Sequence, residues 1–286
     1  MGTMRRVATA LVLAVLAGAL AGCGGGVRET VDPVAAAATK SAQAGGVEMK
    51  LSMTIGTGAG SMTMEGHGAF ERDRGKMELD LSSLLGRSGP PGLAGGSVKA
   101  VYLTESGDPV VYVDVPFLAG VLPGGKTWIR IDLERAGKSL GIDFDQLVGS
   151  SQSPAQTLGL LRSSGHFTAV GGETVDGVET THYRGSVDLA EVAKAGGVPA
   201  RAVEKLSRLG APTAMPFDVW VDHSGLVRRI VERYERTVGG SSSSMEITID
   251  LGNYGTEVEV SAPPSDEVFD VTELASKAAQ QSGLGG

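Results

Sequence analysis

The residue with the clearest chemistry in this sequence is Cys23, which is the only cysteine in the chain. Its thiol directly follows Leu20-Ala21-Gly22, three residues of the small or apolar kind found at cleavage sites. Arg5 and Arg6 precede an apolar run over residues 7–20 that is too short to cross a bilayer comfortably. This order predicts a cleaved secretion signal, and cleavage would leave a nucleophilic thiol at the new amino terminus.

The four residues Leu20-Ala21-Gly22-Cys23 resemble the lipobox of bacterial lipoproteins, in which the cysteine thiol carries a diacylglycerol and the preceding peptide is removed. The resemblance implies a signal peptide over residues 1–22, followed by the acylated cysteine and a flexible tether over residues 23–31. Two or three acyl chains such as palmitate hold a protein stably on a membrane, whereas one chain does so only marginally. The alternative is an ordinary secreted protein in which Cys23 is a leftover thiol.

Other residue types that could support catalysis or bind metals are scattered. None of the histidines has another histidine or the cysteine two, three or four residues away, and they are His67, His166, His182 and His223. The serine run 241–244 lacks the Gly-x-Ser-x-Gly setting of an activated serine. Asp143 and Asp145 lack the glycine and terminal glutamate of a calcium loop. We therefore expect no metal, no cofactor and no enzymatic activity.

The charge balance is acidic. After residue 22 the chain carries 23 Lys and Arg residues against 33 Asp and Glu, a formal net charge of -10. Nucleic acids and anionic head groups both attract an excess of basic residues on one face of a protein. We therefore expect no nucleic-acid partner, and attachment to a membrane would depend on the acyl chains of Cys23.

Alternation of apolar and polar residues predicts one mainly β domain over residues 32–286. The alternation is clearest at 47–55 and at 245–254, and Asp176-Gly177 is a strong hairpin signal. About ten or eleven antiparallel strands are predicted, over residues 47–55, 62–70, 77–81, 98–104, 110–115, 127–133, 167–173, 179–189, 217–222, 226–238 and 245–254.

Helical patterns interrupt this sheet. Asp32-Pro33 is a helix start and Gly45-Gly46 a stop, and two helical insertions are predicted within 141–164 and 189–210. A last helix is expected near 272–280, and a long loop over 82–97. A sheet of this size twists and curls. The predicted fold class is therefore α+β but mainly β, a curled antiparallel half-barrel with helices across its concave side.

Four local motifs follow one another along the chain: residues 176–183 (DGVETTHY), 187–189 before a helix, 219–222 before 225–229, and 253–255 before Pro263-Pro264. Their order after a lipobox resembles the LolA-like superfamily of envelope lipid-binding proteins, and within it the LppX/LprG type of actinobacterial lipoproteins. The resemblance implies a U-shaped half-barrel, a hydrophobic cavity and carriage of lipids or lipidated molecules within the cell envelope. It brings no family-wide catalytic residue.

The apolar side of the alternating strands supplies the candidate cavity lining. These residues are Met49, Leu51, Met53, Met62, Met64, Phe70, Met77, Leu79, Tyr183, Val187, Phe217, Val219, Met245, Ile247 and Ile249. Flexible methionine thioethers suit a cavity that accepts varied acyl chains, but methionine also fills gaps in an ordinary core. Alternation identifies the buried face and does not distinguish these two cases.

Two functions are consistent with these patterns. The first is a membrane-anchored, extracytoplasmic lipoprotein that binds lipids or acyl chains in an apolar cavity and carries them within the cell envelope. The alternative is a surface interaction or sensor lipoprotein with a filled core and a rim that binds an envelope protein. A cavity large enough for acyl chains would distinguish the two.

Overall fold

The alternating segments of the sequence form the strands of one large sheet in the computed structural model. The structure describes residues 32–57, 60–85, 96–133, 135, 154–163, 165–194, 200–208, 213–238 and 241–271. The predicted signal peptide, Cys23 and the tether lie outside these residues, as do residues 141–153 of the first helical insertion and the helix expected near 272–280.

The described part of the chain contains twelve strands. They are β1 (Gly46–Thr57), β2 (Gly60–Glu71), β3 (Arg74–Asp80), β4 (Ser97–Glu105), β5 (Asp108–Asp114), β6 (Trp128–Asp132), β7 (Gly165–Val175), β8 (Val178–Asp188), β9 (Ala214–Asp222), β10 (Val227–Val238), β11 (Ser241–Thr256) and β12 (Val268–Asp270). The eleven predicted strands correspond to β1–β11. The short β12 was not predicted, because three residues are too few to show a period.

The described helices are α1 (Pro33–Gln43), α2 (Ser82–Leu85), α3 (Pro154–Ser163), α4 (Leu189–Lys194) and α5 (Ala200–Arg208). Two short 3-10 helices lie at Pro116–Leu118 and Pro123–Gly125. The predicted loop over 82–97 therefore begins with one helical turn, and its residues 86–95 lie outside the described part. Among the described residues, no helix is both long enough and apolar enough to cross a membrane.

All twelve strands belong to a single sheet, in the order β12-β6-β5-β4-β3-β2-β1-β11-β10-β9-β8-β7. Every neighbouring pair is antiparallel except β12 and β6, which are parallel. The sheet is open, with β12 and β7 at its two edges. The fold is thus α+β and mainly β, as the sequence predicts.

The strand register divides the sheet into an apolar face and a polar face. Met49 of β1 lies opposite Gly68 of β2 on one side and Leu251 of β11 on the other. Lys50, the next residue, lies opposite His67 and Asp250. Since successive side chains of a strand point to opposite faces, this register puts the apolar residues of neighbouring strands together.

Helix α1 starts where the sequence predicts and packs on the apolar face. The Oδ1 atom of Asp32 accepts hydrogen bonds from the backbone N–H groups of Val34 and Ala35, at 2.8 and 3.1 Å. This is an N-cap, and Pro33 follows it at a position where the missing N–H costs nothing. Val34 and Ala38 on the inner side of α1 are fully buried in the main hydrophobic cluster.

Candidate functional site

One half of the apolar face is a packed core. Side chains of α1, α3 and α4 are buried there against strands β1, β11, β10, β9 and β8, and Leu161 and Val192 are examples that are completely buried. On the sheet side, Phe217 and Val219 of β9 are equally buried. Each core member of this half is less than a tenth exposed.

The other half of the apolar face is less covered. We call it the β2–β6 surface, defined by the half-buried apolar side chains Met64, Phe70, Met77, Leu79, Val98, Ala100, Tyr102, Val111, Val113, Ile129 and Ile131. The short helix α2 lies against β2 at its border. Next to the β2–β6 surface, Ile55 of β1 and Met62 of β2 lie opposite each other, and they are 36% and 37% exposed. The apolar face therefore continues for five strands beyond the helix-packed core.

Glycines shape the β2–β6 surface around Phe70. Gly68 and Gly75 lie on the apolar face of β2 and β3, next to that ring. A Cβ atom at Gly75 would come within 2.4 Å of Phe70 Cδ1, and one at Gly68 within 3.1 Å of Phe70 Cε2. The ring thus lies directly over bare backbone, in the manner of an aromatic side chain that covers strand glycines.

All fifteen predicted lining residues lie on the apolar face, but the structure divides them. Seven are buried within the helix-packed cluster: Met49, Leu51, Val187, Phe217, Val219, Ile247 and Ile249. Six are partly buried and pack against that cluster: Met53, Phe70, Met77, Leu79, Tyr183 and Met245. Met64 is half-buried and Met62 exposed. A lining role stays a prediction for all fifteen.

The sequence prediction overlooked a carboxyl group on the apolar face. Glu232 of β10 lies between Ile247 of β11 and Phe217 of β9 and is only 9% exposed. Its Oε2 atom accepts a hydrogen bond from the Tyr234 hydroxyl at 2.9 Å. Burial raises the pKa of the Glu232 carboxyl above its ordinary value. The alternation of Ile230, Glu232 and Tyr234 was the available signal, because all three share one phase of β10.

The polar face carries a buried network around His182. The ring of His182 stacks on Trp220 with centroids 4.2 Å apart. Its Nδ1 atom lies 3.0 Å from Glu173 Oε1, and its Nε2 atom lies 2.6 Å from Asp218 Oδ1. The indole N–H of Trp220 donates to Glu173 Oε2 at 2.9 Å, which closes the network. These contacts join strands β7, β8 and β9.

Asp218 is the centre of that network. It is only 4% exposed, and Arg184 Nε donates to it at 2.8 Å, while Arg233 Nη1 donates to its second oxygen. Burial opposes the charge of Asp218, but the hydrogen bonds from His182, Arg184 and Arg233 lower its pKa below the ordinary value. Each polar side chain of the network thus forms a hydrogen bond with another side chain, which is typical of a network with a structural role.

A groove of about 750 Å³ runs across the polar face. Side chains of both charges border it, among them Lys50, Glu78 and Lys99, and Trp128 lies at one end. At the other end the β7–β8 turn reaches β1, since Asp176 Oδ2 lies 2.9 Å from Lys50 Nζ. Among the described residues, no group of three or more His, Cys, Asp or Glu side chains could hold a metal ion.

Relatives of this sequence occur in Streptomyces. No known family model matches the chain. Over 187 residues, or 63% of its length, it is 34% identical to an uncharacterised 31.2 kDa protein of Streptomyces griseus. That protein is encoded between the rplA and rplJ genes. It is 30% identical over 155 residues, 53% of this chain, to a candidate lipoprotein of Streptomyces coelicolor. The matches span 58% and 45% of those proteins' own lengths.

Among solved structures, the chain is similar to two mycobacterial proteins of the LppX/LprG group that the sequence motifs resemble. LprF of Mycobacterium bovis is 14% identical, with 81% of this chain and 95% of LprF covered and a TM-score of 0.37. The lipoprotein LppX of Mycobacterium tuberculosis is 17% identical, with 80% and 100% covered and a TM-score of 0.37. Both TM-scores correspond to a loose superposition.

Proposed function

We propose that this protein is an LppX/LprG-type lipoprotein that binds a lipid on its apolar face and carries it within the cell envelope. The acylated thiol of Cys23 would anchor it to the extracytoplasmic side of the cell membrane. The observation that carries the proposal is the β2–β6 surface, an apolar surface of half-buried side chains that continues beyond the helix-packed core.

The anchor part of the proposal rests on the sequence. Cys23 is the only thiol, and it stands at the end of a lipobox-like segment. The name of the Streptomyces coelicolor relative, a candidate lipoprotein, is consistent with the same kind of anchor. The acidic charge of the mature chain favours acyl chains over electrostatic attraction as the means of attachment.

The binding part rests on the physical chemistry of the apolar face. Apolar side chains that are only half-buried can bury an acyl chain without first opening the core. About ten buried methylenes would contribute about 8 kcal/mol, before the entropy cost of binding is subtracted. Binding by burial alone needs no catalytic group, and it accepts a range of chain lengths.

A charge placed at the border of this surface tests the proposal. Met62→Glu puts a carboxylate at an exposed position of the apolar face, where it should not disturb folding. Ser61→Glu is the matched control, because Ser61 is also exposed and is the neighbouring residue on the polar face of β2. The full chain is produced in a bacterium that acylates lipoproteins, and its non-covalently bound lipid is quantified by native mass spectrometry after lipid extraction.

We expect about one bound lipid per chain in the wild-type protein and in Ser61→Glu, and a reduction of tenfold or more in Met62→Glu. Each added methylene contributes only a fraction of the binding free energy, whereas one desolvated charge opposes much of it. Equal lipid in both variants would exclude the apolar face as the binding site. An absence of lipid in all three proteins, together with no uptake of added acyl probes, would reject the carrier function.

The groove on the polar face favours a second candidate, the interaction or sensor lipoprotein. Lys99 and Glu78 lie opposite each other on neighbouring strands at this groove, and charges of both signs suit the recognition of a protein segment. Under this function, Lys99→Glu should abolish capture of an envelope protein by cross-linking, while Met62→Glu should leave it unchanged. A lipid-free wild-type protein with this cross-linking pattern would replace the carrier proposal.

A further inference from the structure

The carboxyl group of Glu232 lies among apolar side chains on the apolar face of the sheet. Its neighbours across the two adjacent strands are Ile247 and Phe217, and along its own strand they are Ile230 and Tyr234. Ile247, Phe217 and Ile230 are buried members of the hydrophobic cluster. An ionisable group in such surroundings costs free energy unless it is paired, so its presence calls for an explanation.

The pairing of Glu232 is incomplete in the described part of the structure. Its Oε2 atom accepts a hydrogen bond from the Tyr234 hydroxyl, and no further hydrogen bond to the carboxyl is found among the described residues. A carboxyl group has acceptor sites on both oxygens, so one oxygen is available for an additional partner. Tyr234 is itself half-buried, and its hydroxyl lies 4.0 Å from the sulfur of Met215, so the pair borders flexible side chains.

The pair lies at the border of the packed core. Glu232, Ile247, Met53 and Met64 form one row across four neighbouring strands, β10, β11, β1 and β2. The last of them, Met64, belongs to the β2–β6 surface. Met245, opposite Tyr234, is likewise only partly buried. A lipid on the apolar face could therefore place one end beside Glu232 while its chain lies along the methionines.

We propose that the Glu232 carboxyl and the Tyr234 hydroxyl hold the polar end of the bound lipid, and that they select an uncharged hydroxyl group over a carboxylate. The inference rests on the proposed function, because it assigns the class of lipid to the same face. A hydroxyl group can donate a hydrogen bond to the available carboxyl oxygen, whereas a carboxylate has no hydrogen to donate. A ligand carboxylate would instead place a second negative charge against Glu232 in an apolar setting.

A cationic head group fits the site less well than a hydroxyl group. An ammonium group has three N–H donors to satisfy, whereas Ile247 and Phe217, which face Glu232 from the two adjacent strands, offer no side-chain acceptor. Tyr234 is the titratable residue that acts on Glu232, and the two adjacent strands face it with apolar side chains only. The environment therefore suits a neutral hydrogen-bonding partner.

The test compares two lipids that share one acyl chain. 1-Monopalmitoylglycerol and palmitate compete with a fluorescent acyl probe for the full-length wild-type protein at pH 7.5. The variants are Glu232→Gln, which keeps the size of the side chain, and Tyr234→Phe, which removes only the hydroxyl. Glu235→Gln is the matched control, because Glu235 is exposed on the polar face of the same strand. Thermal unfolding of each variant establishes that it is folded.

We expect the wild-type protein and Glu235→Gln to bind monopalmitoylglycerol at least tenfold more tightly than palmitate. In Glu232→Gln the affinity for palmitate should rise and the preference should fall below about threefold, and Tyr234→Phe should reduce the preference in part. Equal affinity for the two lipids in the wild-type protein, or an unchanged preference in Glu232→Gln, would overturn this inference and leave lipid binding intact. Failure of the wild-type protein to bind the acyl probe at all would instead overturn the proposed function.

Discussion

The Nε2 atom of His182 lies 2.6 Å from the Oδ1 atom of Asp218, and both side chains are buried on the polar face of the sheet. The two residues belong to adjacent strands, β8 and β9, and they are offset by two residues in register, since His182 is opposite Trp220 and Asp218 is opposite Arg184. Arg184 and Arg233 donate to the same carboxylate from β8 and β10. One buried charge thus links three neighbouring strands, and its titration should affect the stability of the whole sheet.

Acid should weaken the fold through Asp218. Its pKa lies below the ordinary 3.8 in the folded protein, because hydrogen bonds from three side chains outweigh the effect of burial. A depressed folded pKa gives stability that is complete above the unfolded value and is lost as the pH falls through 3.8 toward the folded pKa. We expect the free energy of unfolding in urea to fall steadily between about pH 5 and pH 2.

Asp218→Asn provides the comparison for that prediction. The amide still accepts a hydrogen bond but has no charge, so at pH 7 the variant should be less stable by about 2 kcal/mol. Its stability should also depend less on pH below about 4.5 than that of the wild-type protein. Parallel pH profiles for the two proteins would show that another carboxylate, such as Asp222, carries the acid sensitivity.

A methyl group at Gly75 should destabilise the β2–β6 surface. In Gly75→Ala the new Cβ atom would lie 2.4 Å from Phe70 Cδ1, so the ring must move off the backbone that it covers. We expect a loss of about 1–3 kcal/mol in the free energy of unfolding. Gly252→Ala is the control, because no heavy atom lies within 4 Å of the added Cβ there and its backbone is not left-handed. Equal stability of the two variants would show that Phe70 moves at no cost.

Ser41 should hold α1 to the sheet. Its Oγ atom accepts a hydrogen bond from the backbone N–H of Val227 at 2.9 Å, and the Tyr254 hydroxyl donates to the carbonyl of the same residue at 2.6 Å. Ser41→Ala would leave a buried N–H without its partner, at a cost of about 1–3 kcal/mol. Thr39→Ala, on the exposed side of α1, should change the stability much less. Hydrogen exchange at Val227 should increase in the first variant only.

Loss of the Cys23 thiol should release the protein from membranes. In Cys23→Ala no acyl chain can be attached, and the acidic chain has no excess of basic residues to replace it. After cell fractionation we expect the variant in the soluble fraction and the wild-type protein in the membrane fraction. Retention of the variant on membranes after a high-salt wash would contradict the anchor assignment.

The sequence predicted the strands well because a strand with one buried face repeats every two residues. Val47 to Ile55 and Met245 to Leu251 show that repeat without interruption, and they pair at the centre of the sheet. β12 was missed because a three-residue strand has no measurable period. The same alternation contained Glu232 in the apolar phase of β10, but a rule that counts only apolar residues passes over it.

The sequence could not divide the apolar face into a packed half and a half-buried one. Met49 and Met62 are both methionines on the apolar face of the sheet, yet Met49 is 1% exposed and Met62 is 37% exposed. The difference arises from helices that are far away in the chain, such as α3, which packs on α1. Alternation indicates which face of a strand is apolar. Which other element packs on that face, and how completely it covers it, depends on the tertiary fold.

The pairing of β1 with β11 has a consequence for how the chain reaches its destination. Met49 and Leu251 are opposite each other in the middle of the sheet, about 200 residues apart in sequence. The central ladder can therefore assemble only after most of the polypeptide has been delivered, and a topology with such distant pairings folds slowly. Under the proposed extracytoplasmic location, this delay would keep the chain unfolded, and so able to pass through a secretion channel, until export is nearly complete.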